Sequence, residues 1–96
     1  MEMVVYKYSL TGEDCIIKMN EGAHVLHLGL QQHPMGDDLC IWACVDPTKP
    51  LVPRRFVTRG TGQKFSTPLL GVTHIGTVQQ EKNGGEYVWH VFEVHE

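Results

Sequence analysis

The sequence has no Asp or Glu from Pro47 to Gln80, no Cys-x-x-Cys pair, no sustained helical periodicity and no long apolar run. Each absence excludes a class of protein. Three cysteines, Cys15, Cys40 and Cys44, make an odd count without zinc-knuckle spacing, which argues against a disulfide framework and a structural zinc. Reduced thiols are expected. No stretch approaches the roughly 18 apolar residues that span a bilayer, and the opening Met-Glu-Met-Val-Val-Tyr-Lys-Tyr lacks the basic start and apolar core of a secretory leader. A cytoplasmic protein with no membrane partner is the expectation. At 96 residues, 42% hydrophobic and 20% charged, the chain suits one globular domain and is too short for two independent cores.

The acid-free interval holds Lys49, Arg54, Arg55, Arg59 and Lys64, five of the eight basic residues, so it stands at +5 in a chain of net charge -3. Residues 1–46 stand at -5 and residues 81–96 at -3. Local positive charge in an acidic chain suits a compact anion, whereas long nucleic acid favours a domain that is basic throughout. A solvated basic loop is the plain alternative.

Residues 3–10, the turn Thr11-Gly12-Glu13-Asp14 and the apolar run 15–19 predict a hairpin, with Tyr6 and Tyr8 on one face and Val5 and Lys7 on the other. Residues 23–31 predict a strand whose Leu26, Leu28 and Leu30 form one apolar face. Residues 39–46 are apolar on both faces, with Leu39, Ile41, Ala43 and Val45 opposed to Cys40, Trp42 and Cys44. Such a strand is central or is covered by a partner. Pro47, Pro50 and Pro53 predict a surface loop in which pairing is interrupted. Residues 54–58 then alternate, Arg55 and Val57 against Arg54, Phe56 and Thr58, until Gly60-Thr61-Gly62 breaks the strand. One helical turn is predicted around Pro68, stopped by Gly71. Residues 72–80, the turn Lys82-Asn83-Gly84-Gly85 and residues 87–94 make a final hairpin, and its last strand is again apolar on both faces.

Seven strand candidates at regular spacing predict an all-β fold, a small antiparallel sandwich or barrel. Two strands apolar on both faces point to homo-oligomerisation through at least one of them, with a closed sandwich as the alternative.

The residues suited to an anion are the forked guanidinium groups of Arg54, Arg55 and Arg59, the ammonium of Lys64, and the amides and hydroxyl of Gly60-Thr61-Gly62. The glycine triplet alone is weak, because it lacks the strand-to-helix setting of a phosphate loop. Trp42, Phe56 and Trp89 are the aromatic planes on which a base could stack, although for any one of them core packing is the favoured explanation. Metal ligands on one strand face lie an even number of residues apart, which His24 and His27 do not. Cys40 and Cys44 share a face but lie about 13 Å apart at standard rise. No metal, no cofactor and no catalytic constellation are therefore expected. Neither His24-Val25-Leu26 nor His74-Ile75-Gly76 fits the His-x-Thr pattern of a two-histidine phosphoesterase.

Five short motifs run through nearly the whole chain: Lys7 to Leu10, Trp42 to Pro47 (W-A-x-V-D-P), Gly60 to Gly62, Ile75 to Thr77, and Trp89 to Glu93 (W-H-V-F-E). Together they resemble a group of short phage-encoded proteins, which in turn looks like the type 4 anti-CBASS proteins. These are viral sponges that sequester the cyclic dinucleotide signals of antiphage defence without cleaving them. The resemblance implies a homotetramer that binds 3′,3′-cyclic GMP-AMP or a near relative in the cytoplasm of the infected bacterium. The competing expectation is a phage structural or protein-interaction module whose basic strand docks an acidic partner.

Overall fold

A computed structural model describes residues 2–66 and 71–95. The helical turn expected around Pro68 lies outside the described residues. Among the described residues there are seven antiparallel strands: β1 (Val4–Ser9), β2 (Asp14–Asn20), β3 (His24–His33), β4 (Gly36–Val45), β5 (Leu51–Gly60), β6 (Val72–Lys82) and β7 (Gly85–Val94). They form a three-stranded sheet ordered β1-β4-β3 and a four-stranded sheet ordered β2-β5-β7-β6. The fold is an all-β sandwich.

The core lies between the sheets. Ile41, Ala43 and Val45 of β4 face Phe56 of β5, Val91 of β7 and Met19 of β2, all at most 1% exposed. Full burial of each large side chain contributes about 1.5–3 kcal/mol. The two strands with apolar residues on both faces, β4 and β7, are interior strands of their sheets. On their outer faces Trp42 lies beside His27, and Phe92 lies between Phe65 and His74. Gly76 permits the close approach of the sheets, since a Cβ there would sit 3.1 Å from Cδ2 of Leu28.

Local sequence signals fail at three points, each for a physical reason. Residues 3–19 do not form a hairpin, because β1 pairs with β4 and β2 with β5. The chain crosses from one layer to the other at residues 11–13, and Tyr8 and Ile17 reach the same core from opposite sheets. The prolines interrupt less than expected. Pairing resumes at Leu51, and Pro53 lies inside β5 opposite Lys18. It is tolerated there because β7 pairs with β5 only from Arg55 onward, so the missing N–H interrupts no ladder on that side. Finally, bulges between Val25 and His27 and between His74 and Gly76 shift the alternation by one residue. Leu26 is therefore expelled to the surface, 53% exposed, while Val25 and Leu28 pack on the core.

The last hairpin follows its sequence. Asn83 (φ 52°) and Gly84 (φ 77°) form the two-residue turn between Lys82 and Gly85, both left-handed as a type I′ turn requires.

Candidate functional site

Strand β5 carries the three arginines, and its alternation sends Arg54 to one face of the four-stranded sheet and Arg55 and Arg59 to the other. Arg54 points inward with Phe56. Its Nε and Nη2 donate to the two carboxylate oxygens of Glu93 at 2.6 and 2.7 Å, and its Nη1 donates to the carbonyl of Ala23 at 2.6 Å. The two side chains are only 20% and 7% exposed. The Glu93 carboxylate pushes the Arg54 pKa up, against the opposing effect of burial. One guanidinium thus ties β5 to β7 and to the turn before β3.

Arg55 points outward and grips Asp14 on β2 through Nε and Nη2, at 2.9 and 2.6 Å. This fork holds the Asp14 carboxyl below its ordinary value of 3.8. Arg59 is on the same face, where it donates to the carbonyls of Glu13, Thr58 and Lys64 and lies 5.6 Å from the Phe65 ring centre. The three arginines therefore do not converge. Arg54 and Arg55 both line a groove of about 410 Å³ with Ile16, Pro53, Glu93 and His95, and each enters it already bound to a carboxylate.

Among the aromatic candidates, Phe56 needs correction: at 1% exposure its ring belongs to the core and offers no plane to a ligand. Trp42 is on the other sheet. Trp89 sits directly opposite Gly60, the last residue of β5, and stacks on Tyr87 with ring centroids 5.6 Å apart and planes 5° from parallel. Its Nε1 donates to Oε1 of Gln80 at 2.9 Å, which fixes the indole.

Because β5 stops at Gly60 and β7 begins at Gly85, residues 85–88 of β7 have no β5 partner on that edge. The result is a notch of about 310 Å³ lined by Gly60, Thr61, Glu86, Tyr87, Val88 and Trp89. Its loop wall is held by Gln63, whose N–H donates to the Gly60 carbonyl at 3.0 Å and whose Oε1 accepts from the Gly60 N–H at 2.9 Å. Gly62 takes a left-handed φ of 85° in this turn. Gly60, Thr61 and Trp89 are therefore brought together, and Lys64 is exposed at the far end of the same loop.

A family described as a domain of unknown function, DUF7352, matches residues 1–96. The chain belongs to this family. No curated protein and no solved structure matches it. Within this DUF7352 chain the structure assigns the motif residues positions: Ala43 and Val45 are core, Asp46 accepts from the N–H and hydroxyl of Thr48, Val91 is core, and Glu93 holds Arg54.

Residue types and spacing alone did not reveal a hydrogen-bonded line on the outer face of the same sheet. Thr61 Oγ1 lies 2.8 Å from Nε2 of His90, Nδ1 of His90 lies 3.0 Å from Thr77 Oγ1, and that hydroxyl lies 3.1 Å from Nε2 of His74. The bulge at Ile75 places His74 and Thr77 on one face at odd spacing, and a bulge has no parity signature in a sequence. The other bulge puts His24 and His27 on one face too, opposite Cys44 and Trp42, which overturns their separation by parity. Among the described residues no group of three or more His, Cys, Asp or Glu is placed to hold a metal ion, and no helix is long and apolar enough to cross a membrane.

Proposed function

We propose that this chain is a phage immune-evasion protein that binds and sequesters a cyclic dinucleotide of the 3′,3′-cyclic GMP-AMP type without cleaving it. It acts as a homotetramer in the cytoplasm of the infected bacterium. The observation that carries this reading is the notch at the end of β5. The parallel Tyr87 and Trp89 rings give a purine a stack to extend, worth about 1–3 kcal/mol per base in single-stranded nucleic acid binding. The unpartnered edge of β7 presents amide and carbonyl groups to the edge of a base, Thr61 lines the notch, and Lys64, exposed farther along the same loop, supplies a cation for phosphate. The notch volume is at the lower end of ligand sites, about 300–1,000 Å³, so a cyclic dinucleotide would protrude and be shared between copies. Capture alone is what a sponge requires, with no nucleophile and no general base.

Calorimetric titration with 3′,3′-cyclic GMP-AMP, cyclic di-GMP and cyclic di-AMP tests this, with saturable heat expected for at least one. Trp89→Ala should weaken that binding by tenfold or more, the equivalent of about 1.4 kcal/mol. Absence of heat with all three ligands at tens of micromolar protein sinks the proposal, and chromatography of ligand after incubation distinguishes intact nucleotide from cleavage products.

The three arginines favour a second reading. All are engaged inside the chain, and Ile16, opposite Arg55, and Leu51, at the start of β5, are 67% and 62% exposed. A protein-interaction module would use this apolar and basic surface on an acidic partner. Charge reversal of Arg55 and Arg59, leaving the structural Arg54 intact, would then abolish the complex while nucleotide binding stays absent throughout.

A further inference from the structure

We infer that β1 is the seat of a two-fold contact with a second copy of this chain, made by antiparallel pairing of β1 with β1 across the open edge of the three-stranded sheet.

Four strands form sheet edges, and three carry features that discourage further pairing. Strand β3 has the bulge at Leu26, β6 has the bulge at Ile75 with Glu81 and Lys82 at its end, and β2 carries Asp14 and Lys18. Strand β1 has neither bulge, proline nor acid. Its one charge, Lys7, is drawn away from the edge, because Nζ donates to Oε1 of Gln31 on β3, across the width of the sheet. What remains at the edge is Met3, Val4, Val5 and Tyr6, exposed by 46, 37, 54 and 43%.

The core is also unfinished on this side. Val4 and Tyr6 pair with Val45 and Ala43, so they lie on the inward face of the sheet. Their partners are 0% exposed, yet Val4 and Tyr6 themselves are open, and the apolar layer stops one strand short of closure. A second β1 would continue both the ladder and that layer.

A two-fold axis normal to a sheet sets residues of one face opposite each other, so the axis must pass midway between a residue and its own counterpart. Centring it on Val5 places Val5 against its own counterpart and Val4 against the second copy's Tyr6. The latter is an aromatic and β-branched pair of the kind that stabilises sheets. Lys7 then faces Met3, and no like charges are opposed. The contact joins two three-stranded sheets into one of six strands.

Light scattering and sedimentation of the full chain at tens of micromolar test the contact, and the test does not depend on any nucleotide. The wild type should have a mass that is an even multiple of 10.8 kDa, Val5→Lys should halve it, and Val5→Ile should leave it unchanged. A monomeric wild type, or a Val5→Lys protein that keeps the full mass, would overturn the assignment. Should Val5→Lys fail to fold, amide exchange of the wild type decides instead. Protection of the β1 amides should rise with protein concentration, and protection that is independent of concentration while the mass is a multiple would also overturn it.

Discussion

Arg54 and Arg55 are neighbours in β5, each grips a carboxylate with two nitrogens, and the two pairs differ in nearly everything that sets their energy. On the inner face, Arg54 and Glu93 are 20% and 7% exposed, and a backbone carbonyl takes a third donor. On the outer face, Arg55 and Asp14 are 38% and 43% exposed. Water screens the outer pair and competes for it, whereas the inner pair stands in a region where an orphaned charge has nowhere to go. Two identical residue types, one position apart, are thus a structural pin and a surface contact. A local excess of positive charge in a sequence says nothing about which is which.

Removing one partner of the inner pair is the strongest way to expose the difference. Glu93→Ala leaves Arg54 inside the sandwich with only the Ala23 carbonyl, and should cost about 3–5 kcal/mol in urea unfolding. Replacing both charges, Arg54→Met with Glu93→Leu, removes the desolvated pair together with its demand. Stability should return to within about 1–2 kcal/mol of the wild type. If the double variant is as unstable as Glu93→Ala, the pair is held for geometry and not merely compensated. On the outer face the larger effect comes from packing. Phe65→Ala removes the ring that contacts Phe92 at 5.0 Å and carries Arg59, with an expected loss of about 1 kcal/mol.

The sequence carries the seven strands, the final turn and the split of Arg54 from Arg55 because these are local: alternation and an Asn-Gly turn need no knowledge of the rest of the chain. The pairing of β1 with β4 is not local. Thr11-Gly12-Glu13-Asp14 reverses the chain equally well within a sheet or between sheets, and only the shared core of Tyr8, Ile17 and Met19 selects the second. The bulges at Leu26 and Ile75 are invisible for a related reason, since they are set by how β3 and β6 meet where Leu28 approaches Gly76. The basic cluster was legible as charge but not as a site, since its acceptors, Glu93 and Asp14, come from strands 39 and 41 residues away. Tyr87, which completes the notch, read only as half of an ordinary strand face.

The smallest predicted effect is the most specific to the comparison. Asp14→Asn breaks the outer fork and should cost about 0.2–1 kcal/mol at neutral pH. The Arg55 fork lowers the Asp14 pKa in the folded protein below 3.8. A carboxyl with a depressed folded pKa contributes stability that is fully present above its unfolded value and is lost as pH falls through the folded value. Asp46, held low by the hydroxyl and amide of Thr48, loses its share in the same acid window, so the wild type should weaken there by more than Asp14 alone supplies. The informative quantity is therefore the difference between wild type and Asp14→Asn, which cancels Asp46. Unfolding measured from neutral pH down to about pH 2 should show that difference constant at first, then shrinking to zero once the wild-type carboxyl is protonated. A difference that persists in acid would mean that Asp14 acts through packing or its place in β2, and the two arginines would then differ in kind rather than in burial.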